Sequence, residues 1–218
     1  MRSFRPRFAP FALALGLALS AGLTHTREAT ASVSFAVAYD DMVSDADAVV
    51  VVTPMDQRSM WEDNRIVTYT HLKVDEAVAG QAATGSEVWV RTLGGAVGKI
   101  GQQVDGEPVF VQGKSSLLFA RASKPGVFSV VARAQGQFPV LVDPQTKRKS
   151  VMRNANCGLL LPRTQAVESK VGPVGPVAPQ ALTGARGMTA VVAVDALHGR
   201  MLEDVTRDIA AQWKRLHK

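Results

Sequence analysis

The sequence predicts a mainly β domain: a small closed antiparallel barrel with a short N-terminal helix and a C-terminal amphipathic helix. Three observations predict it. Arg65 to Val74 alternates as a half-buried strand does, with Ile66, Thr68, Thr70, Leu72 and Val74 on one face and Val67, Tyr69, His71 and Lys73 on the other. Strand-forming runs flank it, Ala48 to Thr53 before and Glu87 to Thr92 after, set off by the turn-rich pieces Glu62-Asp63-Asn64 and Gly80 to Ser86. Further strand-like runs recur about every 10 residues between Gly and Asp turns, the rhythm of a barrel or sandwich.

The N-terminus predicts export. Arg2, Arg5 and Arg7 precede an apolar run from Ala9 to Leu23, and a small-x-small site follows at Ala29-Thr30-Ala31. That order predicts a secretory signal peptide cut after Ala31, with a cut nearer Ala21 as the alternative, since the spacer from Thr24 is long. The run contains Pro10 and has about 15 apolar residues, short of the roughly 20 that span a bilayer. No cysteine for a lipid anchor and no adjacent arginine pair lie near it. The expected organisation is a leader over 1–31, a barrel domain over 32–161, a Pro/Gly-rich connector over 162–187, and a strand plus helix over 188–218 packed on the barrel. No later apolar run is long enough to be a transmembrane segment.

Removing the leader takes the formal charge from +6 to +3. A balance that small is poor support for nucleic acid as a partner. Cys157 is the one cysteine, so no disulfide within the chain staples the fold, and a lone thiol usually packs as a small hydrophobe.

Ser32 to Val37 reads as an opening strand, and Tyr39 to Asp47 as a short helix with acids in its first turn, where the helix dipole favours them. Ala48 to Thr53 is continuously apolar, the pattern of a strand buried on both faces. Pro54 ends or bends it, with extended chain resuming through Gln57 to Trp61. On Glu87 to Thr92, Glu87, Trp89 and Arg91 share one face. A glycine-rich loop follows, from Leu93 to Pro108. Strands are expected at Pro108–Val111, Leu117–Ala120 and Val127–Ala132, then a hairpin of Phe138–Val142 with Lys149–Met152 about Asp143-Pro144-Gln145-Thr146. Met188 to Val194 resembles a strand. Arg200 to Leu216 places Leu202, Val205, Ile209, Gln212, Trp213 and Leu216 on one helical stripe, a docking face for the barrel, with Gly199 supplying the turn before it. The preferred form is a closed or partly closed barrel of about five or six strands, OB-like or simply antiparallel.

The series ADAVVVVTP, WEDNRIVTYTHLKVDEAVAG, VWVRTLGGAVGKIGQQVDGEPVF, SLLFA and VVARAQGQFPV resembles a group of uncharacterised exported bacterial β-barrel proteins. They share a Trp-Glu turn, an Ile-Val-Thr-Tyr strand and a Gly-Gly-x-Val-Gly loop, and the likeness covers Ser32 to Val142. It implies compartment and shape rather than chemistry. A more distant similarity is to netrin-like OB folds, in which metalloprotease inhibitors act through an N-terminal cysteine. The expected mature start at Ser32 has no cysteine, so that chemistry does not carry over.

The motifs that would announce catalysis or cofactors fail on spacing. A P-loop laid on Gly98-Lys99 has Leu93 in place of its first glycine and Ile100 in place of its hydroxyl. After the leader, His71, His198 and His217 stand far apart, and no metal-ligand pattern joins them to Cys157. No G-x-S-x-G occurs. No metal and no cofactor are therefore expected, and binding is the residual reading. The candidate ligand face is Tyr69, His71 and Lys73 paired across to Trp89 and Arg91, with Gly94, Gly95 and Gly98 of the loop beside it. The bland alternative packs Trp89 beneath the terminal helix. The sequence thus predicts an exported, noncatalytic binding or interaction module, periplasmic or extracellular, whose partner is a protein, peptide or glycan. The competing classes are a hydrolase whose triad assembles only in space, and an inhibitor or scaffold that works through the Gly94 to Gly106 loop.

Overall fold

The computed structural model describes residues 33–162 and 191–218. The expected leader and nearly all of the expected connector lie outside the described residues. In chain order the elements are β1 (Val33–Phe35), α1 (Tyr39–Ser44), β2 (Ala48–Glu62), β3 (Arg65–Gly80), β4 (Glu87–Leu93), β5 (Gly95–Val97), β6 (Ile100–Gln102), β7 (Ser116–Lys124), β8 (Val127–Val130), β9 (Gln137–Val142), β10 (Lys149–Val151), β11 (Leu159–Leu161), α2 (Ala193–Leu197) and α3 (Leu202–Leu216).

β2, β3 and β4 form an antiparallel meander. Asp63 and Asn64, both at positive φ, turn β2 tightly into β3, as a two-residue hairpin requires. β7 pairs with β2 on the far side, and β8 pairs with both β7 and β4, so five strands close into a ring. The β4–β8 seam is parallel, Trp89 against Val127 and Val90 against Phe128, which departs from an all-antiparallel closure. β9 and β10 extend the sheet beyond the ring from β7. The expected mainly β, barrel-like domain is thus present, with a short helix before the sheet and a helix at its C-terminal side.

Two apolar layers share the sheet. Val50, Val52, Leu72, Val74, Val90 and Leu118 fill the barrel interior. Val49, Val51, Leu117 and Phe119 point the other way, onto Met42 and Val43 of α1, Val194 and Leu197 of α2, and Val205 and Ile209 of α3. β2 is therefore buried on both faces over its first half, which explains its unbroken apolar run. On the expected α3 stripe, Leu202, Val205, Ile209 and Gln212 are buried, whereas Leu216 is exposed and Trp213, partly buried, stacks on His217 at the C-terminal end.

Several local expectations are corrected. Pro108–Val111 is not a strand: the carbonyls of Val109 and Phe110 accept from the side-chain amides of Gln137 and Gln57, not from a neighbouring ladder. The strand at Val127 stops at Val130, because Ala132 and Arg133 both adopt left-handed backbone. Of the expected strand at 188–194, the residues through 190 lie outside the described ones. Val192 makes a single bridge to Ala38, and Ala193–Leu197 is helical, which buries Ala193, Val194 and Leu197 on one side. β11, which the sequence did not announce, pairs in parallel with β1, Val33 beside Leu159 and Phe35 beside Leu161.

Candidate functional site

The pairing of β2, β3 and β4 decides which side chains meet on the outside of the barrel. Tyr69 lies opposite Arg91 and His71 opposite Trp89, while Lys73 faces Glu87 at the end of the row. These side chains project away from the interior occupied by Leu72, Val74 and Val90, so the five side chains expected to share a face do share one. Trp89 does not lie beneath α3. Its ring stacks on the imidazole of His71 at 4.4 Å between centroids and 9° between planes.

Acids hold these groups in place. Glu62, the last residue of β2, accepts the Tyr69 hydroxyl on Oε1 at 2.6 Å. Its Oε2 lies 2.9 Å from Nε and 2.7 Å from Nη2 of Arg91. The Tyr69 hydroxyl, followed by the Arg91 guanidinium, holds the Glu62 carboxyl below its usual range, and the same bond to Glu62 raises the Tyr69 phenol. One row along, His71 Nδ1 sits 3.1 Å from Asp56 and Nε2 sits 3.1 Å from Glu87. The contact to Asp56 is a hydrogen bond, and that to Glu87 is a close approach. The two acids lie at opposite ends of the ring, so the trio does not converge on one ion. Among the described residues no group of three or more His, Cys, Asp and Glu does so.

Sequence reading identified the aromatic and basic members but not Asp56 or Glu62. Simple alternation from Val50 and Val52 puts Asp56 inside the barrel. A register shift between Pro54, opposite Leu72, and Asp56, opposite His71, inserts Met55 as an extra residue and turns Asp56 outward. Glu62 was hidden by its place beside a turn. The proline in β2, tolerated mainly at bulges, was the available signal for the first.

The glycine-rich stretch is not an open loop. β5 and β6 form a small hairpin. Gly94 and Gly95 take positive φ, and a Cβ on Gly95 would lie 2.2 Å from the Thr68 hydroxyl and 2.5 Å from that of Ser59. Those two residues therefore seat the hairpin on β2 and β3, whereas Gly98 stands at its open tip with nothing around it. Cys157 is buried, and burial pushes its thiol up. His198 accepts the backbone N–H of Arg153 on Nδ1. Among the described residues no serine or cysteine side chain is hydrogen-bonded to His71 or His198.

A groove of about 570 Å³ adjoins this face at the mouth of the barrel. It is lined by Glu62, Arg65 and Arg91 on one wall and by Glu107, Ser129 and Arg133 on the other. Sequence reasoning passed over Arg65, Glu107 and Arg133, which are brought together only when the ring closes.

The two tyrosines of the chain, Tyr39 and Tyr69, give the clamp a direct test. Burial, then the charge of Asp208, pushes Tyr39 up to about 12. Alkaline titration followed by phenolate absorbance is expected to show both tyrosines ionising above the ordinary value of about 10. Glu62→Gln is expected to bring Tyr69 back toward that value while Tyr39 stays near 12. Because both folded values are raised, each contributes stability that is complete below pH of about 10 and lost as pH climbs through the raised value. A tyrosine ionising at its ordinary value with Glu62 intact means that the clamp does not form in solution.

No helix of the described residues is long and apolar enough to cross a membrane. In comparison with known proteins, no family model matches the chain and no curated protein matches it, so its geometry alone carries the functional reading.

Proposed function

We propose that this chain is an exported, noncatalytic binding module that takes a peptide, glycan or partner protein on the outer face of β2, β3 and β4. The observation that carries the reading is the set of contacts on that face: Glu62 fixes Tyr69 and Arg91, while Asp56 bonds to His71, which stacks on Trp89. Side chains fixed in this way give up little further freedom when a ligand arrives, which removes about 0.5–1.5 kcal/mol per side chain from the cost of binding. Amphipathic Tyr and Trp rings beside an arginine are the side chains that dominate binding surfaces.

The reading is tested by capture from the exported fractions of the native host. Full-length protein carrying Trp89→Ala or Tyr69→Ala is compared with the unaltered chain, and circular dichroism confirms that each variant keeps its fold. A partner held by the unaltered chain and lost by both variants is the expected result. Identical sets of captured molecules would remove this face from consideration.

A further inference from the structure

We infer that the groove at the barrel mouth is an oxyanion site, receiving a carboxylate or phosphate carried by the ligand of the adjoining face. The inference rests on the binding role just proposed and adds to it the chemistry of the group recognised.

The lining is mixed in charge, with Arg65, Arg91 and Arg133 against Glu62, Asp63 and Glu107. Formal charge, however, does not describe what the groove offers to a ligand. Both oxygens of Glu62 are occupied, one by Tyr69 and the other by Arg91. On Glu107, Oε2 accepts the Leu93 N–H at 3.1 Å, and Oε1 lies at ion-pair distance, 3.3 Å, from Arg133 Nε. The oxygens of these two carboxylates are therefore engaged internally, by hydrogen bonds or by an ion pair.

The donors are not. Arg133 engages Glu107 through Nε, leaving the two terminal nitrogens of its guanidinium without an acceptor among the described residues. Arg91 uses Nε and Nη2 on Glu62 and keeps Nη1. Arg65 makes no ion pair and no side-chain hydrogen bond among the described residues. What lines the groove is a set of unspent guanidinium edges, each a planar fork matched to two oxygens of a carboxylate or phosphate, together with the carboxylate of Asp63, which pairs with none of them among the described residues.

The backbone points the same way. Ala132 and Arg133 occupy the left-handed region at φ 52° and 54°, an unfavourable conformation for residues with a Cβ. They are held there from both sides, since Val131 N–H bonds to Phe119 and Ala134 N–H bonds to Gly106. A strained pair fixed by its neighbours, and delivering an arginine into a groove, is a pattern that accompanies ligand sites. A volume of about 570 Å³ suits a small ligand or the end group of a larger one.

The test uses the full chain with citrate and inorganic phosphate as separate probes, at constant chloride, read by calorimetry and by the NMR signals of the arginine Nε–H groups. Saturable binding of at least one probe is expected, and the stronger of the two identifies carboxylate or phosphate as the group preferred. Arg65→Ala unpairs no acid, and is expected to weaken binding about tenfold or more, the worth of charge-assisted bonds lost from one fork. Arg133→Lys retains the charge and is expected to weaken it as well, because the fork is gone. Absence of saturable binding by both probes overturns the site, as does binding that neither variant changes. If partner capture by the Trp89 face persists in either of those cases, the groove alone has failed. If Trp89→Ala leaves capture unchanged while the anion still binds through Arg65, the outer-face reading has failed and the groove stands.

Discussion

Replacing Phe119 with alanine is expected to cost about 3–5 kcal/mol of folding stability, the usual range for a large aromatic removed from a core. Phe119 lies on β7, fully buried, where the sheet meets the helical layer. It stands edge-on to Phe138 of β9, with ring centroids 6.1 Å apart and planes at 66°. The same cluster holds Met42, Val194, Leu197 and Ile209 from all three helices. Truncation therefore opens a cavity in a cluster built from the sheet and all three helices, which no single element can shift to fill. The measurement is urea unfolding: the midpoint falls sharply while the slope stays close to that of the unaltered protein. A loss of less than about 1 kcal/mol would mean that the helices do not pack on the sheet as described.

Gly80→Ala is expected to have an effect of comparable size, about 2–5 kcal/mol, from a different cause. Gly80 ends β3 at φ +86°. Left-handed backbone costs a residue bearing a Cβ about 1–2 kcal/mol. The new methyl would also lie 2.1 Å from the carbonyl oxygen of Asp47 and 2.7 Å from the Cα of Ala48. Those atoms are not free to retreat: Asp47 N–H bonds to Ala120 at 2.8 Å, its carbonyl accepts from Gln81, and its carboxylate accepts from Ala122 at 2.8 Å. Overpacking against fixed backbone adds about 1–3 kcal/mol. The contrasting control is Gly98→Ala at the tip of the β5–β6 hairpin, where no atom lies within 4 Å and only the strain of φ +62° applies. Thermal unfolding should separate the two, with Gly80→Ala melting well below Gly98→Ala. Equal losses would show that the junction of β2 and β3 with β7 yields more than these bonds allow.

These two positions also bear on the strands that carry the candidate site. Phe119 fixes the outer layer on which the sheet rests, and Gly80 fixes the start of β2 against the end of β3. The Tyr69, His71, Trp89 and Arg91 face lies on the same β2, β3 and β4 strands, so its geometry inherits their stability.

Much of the fold was legible in the residues themselves. Alternation from Ile66 to Val74 placed β3, the apolar run from Ala48 marked a strand covered on both sides, and Asp63-Asn64 announced the tight turn. The spacing of Leu202, Val205 and Ile209 identified the helix that docks. Such features are local, because side-chain period and turn chemistry are set within a few residues. The face was legible for the same reason: once two adjacent strands are recognised, alternation puts Tyr69 and His71 on one side and Trp89 and Arg91 on the corresponding side of the next.

Only the tertiary structure decided what lies far apart in the chain. The parallel seam joining β4 to β8, the ribbon joining β1 to β11 and the helical form of Ala193–Leu197 each depend on a partner many residues away. The bulge at Met55 reversed the direction of Asp56, a one-residue change that alternation cannot foresee. Arg65, Glu107 and Arg133 come from three separate stretches, and they share a groove only because the ring closes. Periodicity records which way each side chain points from its own strand. Long-range pairing decides which of those side chains meet.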